Sequence, residues 1–128
     1  MKPDFPLSAN LIDAEMLAFL RDVIRHWNEN DLQAMSAHFR DDAALSSPFV
    51  LESSTSTWVQ GRQAIVAHLK YVRSRYRTFE IMNVATDTAF YTLLLWDGQQ
   101  YLTVIVEPEP SPLLIRRMII CKTIFHRR

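Results

Sequence analysis

The sequence predicts an α+β fold in which three N-terminal helices pack on a mainly antiparallel sheet. Two observations predict it. Apolar residues recur at three- and four-residue spacing in segments before Arg77, and beyond it they follow the alternation of strands. The length of 128 residues suits one domain over 1–128, with residues 1–9, which hold two prolines, as a flexible arm.

Each helix is predicted from its apolar stripe and from the residues that can begin or end it. The first should cover 13–27, because its apolar residues fall on one face and polar residues follow it. Asp31 can cap a second helix over 32–39 by accepting backbone N–H bonds. A third helix is predicted over 62–76, with His68 and Tyr71 at the border of its inward stripe.

The strands are predicted from alternation and from turn residues between them. A short strand at 43–45 precedes a Ser- and Thr-rich loop at 50–60. Asp97-Gly98 suits a type I′ hairpin turn, and three prolines at 108, 110 and 112 mark a second turn. The strands of the sheet are then expected at 79–84, 90–96, 101–106 and 113–125.

Composition argues against several classes of protein. Lys plus Arg and Asp plus Glu balance at 14 each, so nothing in the charge predicts nucleic-acid binding. The single cysteine and the histidine spacing predict no disulfide framework and no metal site. No apolar run approaches the roughly 18 residues of a membrane span. We expect a cytoplasmic protein without a membrane partner.

The strand at 90–96 has apolar residues on both faces. Tyr91, Leu93 and Leu95 alternate with Phe90, Thr92 and Leu94. One face can cover the helices, and the chain has no further helix to cover the other. A large bare apolar sheet would aggregate. This pattern predicts a homodimer formed through the outer face of the sheet.

Three short motifs in order suggest a family. They are Phe-Arg-Asp-Asp-Ala at 39–43, Ser-Pro-Phe at 47–49 and Gly-Arg-Gln-Ala-Ile at 61–65. Their order and spacing resemble the nuclear transport factor 2-like, or SnoaL-like, superfamily, which includes ketosteroid isomerases and polyketide cyclases. The resemblance implies a cone-shaped α+β barrel with a strongly curved sheet, an apolar pocket inside the cone and a homodimer. We expect no cofactor.

The residues that the resemblance aligns with the isomerase machinery are mostly replaced. The proton-abstracting carboxylate position falls on Ser47, and the phenol position of the first helix falls on Val23. Two supporting tyrosine positions fall on Phe39 and Leu69, and only the second acid is kept, as Glu107. The chain is therefore not expected to be a ketosteroid isomerase by the known mechanism.

Two residues remain as catalytic candidates. Glu107 follows an apolar run, and it would be partly desolvated with a raised pKa if its strand face lines the cone. The alternative places it in water at the strand end. His68 takes the place of a cavity ring in the resemblance and could act as a base near neutral pH, or it could be a buried structural histidine. Asp41-Asp42 is better explained by turn chemistry than by catalysis.

The candidate ligand-binding residues are aromatic, apolar or at the mouth of the expected cone. Trp58, in the Ser/Thr loop, is the candidate lid or plug. Lys122, with Arg116, could bind an anionic group at the mouth, or both could be solvated charges at the rim. The full set is Trp27, Phe39, Ser47, Trp58, Phe90, Ile105, Met118 and Lys122.

Two functions follow from the sequence. The first is a SnoaL-like protein that binds a small apolar or aromatic ligand in the cone and could catalyse acid–base isomerisation, dehydration or cyclisation. The second is a non-catalytic binding or assembly module whose cavity is filled by its own side chains. Whether the protein is an enzyme stays open at this point. The volume of the interior separates the two: a pocket of a few hundred Å³ favours the first.

Overall fold

The structure is a computed structural model that describes residues 13–47, 58–87 and 89–122. The predicted arm at 1–9, most of the 50–60 loop and the end of the last predicted strand lie outside these residues. The helices are α1 (Ala14–Asn28), α2 (Leu32–Ser36) and α3 (Arg62–Arg73). The strands are β1 (Phe39–Ser46), β2 (Trp58–Gln60), β3 (Glu80–Asp87), β4 (Phe90–Trp96), β5 (Tyr101–Glu109) and β6 (Leu114–Lys122).

The six strands form one mixed sheet in the order β2-β1-β6-β5-β4-β3. β1 pairs with β6 in parallel, and the other neighbours pair antiparallel. The α+β class and the mainly antiparallel sheet are confirmed. The sheet is not closed within the described residues, and β2 and β3 lie at its edges. The cone shape of the barrel stays a prediction. The helices are not all N-terminal to the sheet, because β1 and β2 precede α3.

α1 lies within one residue of its prediction. The Asp13 side chain accepts a hydrogen bond from the Glu15 N–H at 2.8 Å and so caps the first turn. At the other end, the Arg73 guanidinium donates to the Trp27 carbonyl at 3.0 Å. A cation at the last carbonyls of a helix satisfies orphan acceptors and complements the helix dipole. α1 is thereby fastened to α3 through backbone groups as well as through its apolar stripe.

The second helix is shorter than predicted, because Phe39 opens β1 instead of closing α2. Asp31 does cap α2, accepting from the Ala34 N–H at 3.0 Å. Phe39 pairs with Ile115 of β6, and both side chains are completely buried. Pairing with a strand distant in sequence therefore overrides the local helical pattern. Asp41 and Asp42 lie exposed on β1 and pair with Arg62 and Arg40, which agrees with a structural role.

The β4–β5 hairpin lies where Asp97-Gly98 predicted a turn, but its loop is longer. Trp96 pairs with Tyr101, so four residues connect the strands where a type I′ turn has two. The Asp97 carboxylate accepts from the N–H groups of Gln99 and Gln100, at 2.8 and 2.7 Å, and closes the loop. These hydrogen bonds hold the pKa of Asp97 below its usual value, against the opposing effect of burial.

The core lies between the helices and one face of the sheet. Along β5, Leu102, Val104 and Val106 are buried, whereas the residues between them are only partly covered. Met118 and Ile120 of β6 face the same core. Met118, one of the candidate binding residues, therefore lies on the interior side of β6. Arg116 is exposed at a bulge, because Pro108 pairs with Ile115 and Glu107 with Arg117.

The Asn28 side chain joins the end of α1 to the segment that leads into β3. Its Nδ2 donates to the Phe79 carbonyl at 2.9 Å, and its Oδ1 accepts from the Phe79 N–H at 2.7 Å. An amide side chain here replaces the neighbouring strand that would otherwise pair with this residue. The asparagine satisfies both backbone groups of one buried residue, Phe79.

Replacement of Asn28 by alanine is expected to lower the free energy of unfolding by about 1–3 kcal/mol, because two partly buried backbone groups lose their partners. Chemical denaturation measures the effect. Gln63→Ala, on the exposed side of α3, is the control and should change stability by less than about 0.5 kcal/mol. Equal stability of the two variants would mean that water replaces the amide at no cost.

Candidate functional site

The interior between helices and sheet is almost filled. A cavity of about 30 Å³ remains there, close to the space of one water molecule. Ligand pockets are commonly about 300–1,000 Å³, an order of magnitude larger. The wall is formed by apolar side chains of the three helices, the strands β4 to β6 and the segment before β3: Ile24, Trp27, Met35, Leu69, Val72, Phe79, Leu95, Leu102, Val104, Met118 and Ile120.

The wall of the cavity offers a ligand little besides apolar contact. The indole Nε1 of Trp27 donates to the Tyr76 carbonyl at 3.1 Å and is therefore already used. The ring of Phe79 lies 6.0 Å from that of Trp27, and Tyr76 lies 5.7 Å from Phe79. Trp27 and Phe79 line the cavity where α1 meets the segment before β3, and Tyr76 stacks on Phe79. Dispersion and burial stabilise this arrangement without a polar group at its centre.

Few of the predicted site residues meet in this cavity. Trp27 and Met118 form part of its wall. Phe39 is completely buried in the core but lies outside the wall, and Ser47 is 5% exposed at the end of β1. Lys122 ends β6, and its side chain lies outside the described part of the chain. The predicted site therefore does not assemble as one constellation.

Phe90, Ile105 and Glu107 lie on the side of the sheet that faces away from the helices, so their placement inside the cone was wrong. The inward positions of β5 are Leu102, Val104 and Val106, and strand alternation sends Ile105 and Glu107 outward. Phe90 follows the same rule on β4, where Leu93 and Leu95 face the core. Because side chains alternate along a strand, an error of one residue in the predicted alternation assigns every side chain of that strand to the wrong face.

Of the two alternatives for Glu107, the one with a raised pKa does not hold. Glu107 pairs with Arg117 directly across β5 and β6 and forms an ion pair with it. The hydrogen bond from Arg117 lowers the pKa of the Glu107 carboxyl, outweighing the opposite effect of burial. An ionised carboxylate only accepts hydrogen bonds. Glu107 is therefore ionised at neutral pH and unsuited to the role of a general acid there.

His68 is buried on α3, with 6% of its surface exposed, but it is not part of the cavity wall. Its Nε2 is the one buried side-chain nitrogen or oxygen of the described residues that has no hydrogen-bond partner. The ring of Tyr71 lies 6.3 Å away on the same helix. Burial lowers the pKa of the imidazole, so His68 is neutral at neutral pH. A neutral imidazole retains one basic nitrogen.

Trp58 belongs to β2 rather than to a loop. It pairs with Ser46 at the edge of the sheet, and its side chain is 42% exposed. The loop assignment was wrong at this residue because three residues add an antiparallel edge strand to β1. Trp58 does not line the apolar cavity.

The outer face of the sheet forms a second continuous surface. Strand pairing aligns one residue from each strand in a row that crosses the whole sheet: Trp58, Ser46, Ile119, Ile105, Thr92 and Ala85. A second row adds Cys121, Thr103 and Leu94 beside it. Ile119, Ile105 and Leu94 are only partly buried. We call these two rows the outer face. The alternation of β4 indicated such a surface, but sequence alone did not show which residues it contains.

Two further properties concern the described residues alone. In the ranges 13–47, 58–87 and 89–122, no three His, Cys, Asp or Glu side chains are grouped so that they could hold a metal ion. The helices in these ranges are too short or too polar to cross a membrane.

Comparison with known proteins adds information on the fold. No protein-family profile and no curated protein matches the sequence. Among solved structures, a SnoaL-like protein of unknown function from Burkholderia thailandensis is similar, with a TM-score of 0.75 at 17% identity. The match covers 88% of this chain and 98% of that one.

Two other solved structures show the same likeness. A protein with a cystatin-like fold from Methylobium petroleophilum has a TM-score of 0.69 at 19% identity, covering 91% of this chain and 81% of that one. A proposed polyketide cyclase from Sinorhizobium meliloti has a TM-score of 0.63 at 18% identity, covering 81% and 94%. At these identities the likeness is one of fold, and the activity has to be argued from the residues of this chain.

Proposed function

This chain has the fold of the SnoaL-like, nuclear transport factor 2-like superfamily, and we propose that it is a non-catalytic, homodimeric assembly module of that fold. The observation that carries the proposal is the filled interior, whose cavity of about 30 Å³ has an entirely apolar set of lining residues. Neither acid–base candidate contacts it. Glu107 forms an ion pair with Arg117 on the side of the sheet away from the helices, and His68 is packed elsewhere on α3.

The outer face is the surface through which two copies would assemble. The row that crosses six strands about 4.8 Å apart is roughly 24 Å long, and the row beside it lies about 7 Å away along the strands. A standard interface buries roughly 800 Å² per partner, so two copies would also use the residues at the border of the outer face. Ile105, Ile119 and Leu94 would form the apolar centre, and Trp58 would add an aromatic contact at the edge.

The charges at the border of the outer face suit contact between identical copies. Glu107 and Arg117 lie next to each other in the row beside Ile105 and Ile119. A two-fold axis brings the same surface of both copies together, so each copy presents one charge of either sign to the other. The chain has a formal net charge of zero, and two copies therefore have no overall repulsion to overcome.

Sedimentation velocity at micromolar concentration and native mass spectrometry test the proposal together. We expect a dimer whose mass is twice that of the chain, with no small molecule bound. A strictly monomeric chain would contradict the assembly role. A co-purified organic molecule held in the folded protein would contradict the filled interior.

His68 favours a second candidate function. A buried Nε2 without a partner is uncommon, and a ligand atom could supply the missing hydrogen bond. In that case the chain would bind a small apolar or aromatic molecule and use His68 as the base in an isomerisation, dehydration or cyclisation. The similarity to a proposed polyketide cyclase agrees with this chemistry. Such a ligand requires the interior to open well beyond its present volume.

Replacement of His68 by leucine separates the two functions. For the assembly module we expect the free energy of unfolding at pH 7 to rise by about 1 kcal/mol, because an unsatisfied buried polar group is removed. Burial lowers the folded-state pKa of His68, so wild-type stability is lost as pH falls below about 6.5 and towards that pKa. The stability of the leucine variant should be less sensitive to acid.

His68→Gln is the polar control. A small molecule that is bound by the wild-type protein and lost from both variants would favour the second function.

A further inference from the structure

Two histidines from different elements meet at the side of the helical layer. His26 lies in the last turn of α1, and His38 lies in the turn between α2 and β1. The Nδ1 of His26 is 3.1 Å from the Nε2 of His38. Neither residue contributes to the apolar cavity or to the outer face. The pair is therefore independent of both surfaces on which the proposed function rests.

The ring geometry shows a hydrogen bond rather than a face-to-face stack. The ring centres are 5.1 Å apart and the planes differ by 24°. A ring nitrogen lies about 1.1 Å from its centre, so nitrogens at this distance that point straight at each other give centres roughly 5.3 Å apart. The observed separation is close to that limit. The two rings thus meet edge to edge, with one nitrogen donating and the other accepting.

Arg25 determines which nitrogen donates. Its Nη2 lies 3.4 Å from the Nε2 of His26, and a guanidinium can only donate. The Nε2 of His26 must then accept, and in a neutral imidazole the Nδ1 carries the proton. That N–H donates to the Nε2 of His38, whose own proton is therefore on Nδ1. The hydrogen-bond chain from Arg25 to His26 to His38 requires both imidazoles to be neutral.

The pair fastens α1 to the place where β1 and β6 begin to pair. The His38 carbonyl accepts from the Ile115 N–H at 2.7 Å, and the His38 N–H donates to the Met35 carbonyl at 3.0 Å. The ring of Phe19, on α1, packs edge-on against His38 with centres 5.2 Å apart. The histidine bond adds a polar contact between α1 and this turn to the apolar contact of Phe19.

We propose that the His26–His38 pair is a proton-sensitive latch, closed at neutral pH and released by acid, between α1 and the junction of β1 with β6. The first added proton breaks one link of the chain, because an acceptor nitrogen becomes a donor. The second makes both imidazoles cations that only donate, so the bond between them is lost and like charges face each other.

The surrounding charges agree with this behaviour. Burial lowers the pKa of His38, and the charges of His26 and Arg25 lower it further, while Asp22 acts in the opposite direction. Asp22 and Glu29 also pair with Arg25, at 3.3 and 3.4 Å. On the adjoining strand, Arg40 forms its own ion pairs with Asp42 and Glu109. Since the folded protein binds protons less readily at His38, protonation of His38 destabilises the fold as pH falls below about 6.5, and the second proton then breaks the bond between the rings.

Nitrogen-15 NMR of the full-length chain tests the proton positions directly. At pH 7.5 we expect both His26 and His38 in the Nδ1–H form, whereas a free imidazole favours the Nε2–H form. His26 in the Nε2–H form together with His38 in the Nδ1–H form would overturn the proposal, because neither of the two nitrogens that face each other would then carry a proton. This measurement needs no variant and does not depend on dimerisation.

A double-mutant cycle with His26→Gln and His38→Gln tests the latch itself. At pH 7.5 we expect the two positions to be coupled by roughly threefold to tenfold in the folding equilibrium constant, as for a neutral hydrogen bond. At pH 5 the coupling should vanish or change sign. Coupling that is absent at pH 7.5, or the same at both pH values, would overturn the proposal. His68→Gln, as a further single change, is expected to show no coupling to either position.

Discussion

Replacement of Phe39 by alanine is expected to lower the free energy of unfolding by about 3–5 kcal/mol. Phe39 is completely buried at the start of β1, opposite the equally buried Ile115 of β6. The change removes a large ring from the place where the only parallel strand pair of the described sheet begins. The space cannot collapse easily, because the backbone there is held by pairing and by the Arg62 guanidinium at the Phe39 carbonyl. Denaturant unfolding followed by circular dichroism measures the loss.

Phe90→Ala is the matched control for this prediction. The same ring is removed, but Phe90 is only partly buried and lies on the outer side of β4. We expect a loss below about 1.5 kcal/mol when both variants are compared at the same protein concentration. Similar losses for the two variants would show that β1 is not seated in the core as described.

The elements that sequence located well have strong local signals at both ends. α1 has a capping aspartate, Asp13, at its start, a single apolar face along its length and polar residues at its end. β4 has bulky apolar residues throughout and a loop with Asp97 and Gly98 behind it. Gly98 adopts a φ of 102°, a backbone conformation that glycine reaches without strain. For such segments the local sequence is sufficient to predict the element and its ends.

The errors fall where distant parts of the chain decide the structure. Phe39 has a helical neighbourhood, and its pairing with Ile115 cannot be found from residues close to it. Arg116 forms a bulge for a similar reason, because β5 and β6 shift register at that point. Nor could the sequence show that Arg117 would lie opposite Glu107 and lower its pKa.

The prediction of the candidate site was wrong mainly because residues of β4 and β5 were assigned to the wrong face of the sheet. β4 and β5 have apolar residues at both parities, so alternation indicates two covered faces without saying which one meets the helices. Val106 is 1% exposed, whereas its neighbour Ile105 is partly exposed, and only the packed structure separates them. Trp27 was placed in the interior by the single apolar face of α1, whereas Met118 was placed there by the family resemblance.

Replacement of Ile105 by glutamate is expected to raise the dissociation constant of the proposed dimer at least about 100-fold, or about 2.7 kcal/mol. Ile105 lies in the middle of the row that crosses all six strands, between Ile119 and Thr92. Near a two-fold axis each copy would place its new carboxylate close to that of the other. Two desolvated like charges without partners strongly oppose association. Sedimentation velocity across a concentration series measures the shift.

Gln99→Glu provides the control with the same change of charge, because Gln99 is exposed in the β4–β5 loop, away from the outer face. It should leave the dissociation constant within about threefold of wild type, since exposed charges interact weakly. Ile105 is only partly buried, so the monomer is expected to stay folded, and circular dichroism verifies this. An Ile105→Glu chain that remains folded and as dimeric as Gln99→Glu would place any interface elsewhere. The apolar outer face would then need another kind of cover, and the filled interior alone would no longer indicate an assembly module.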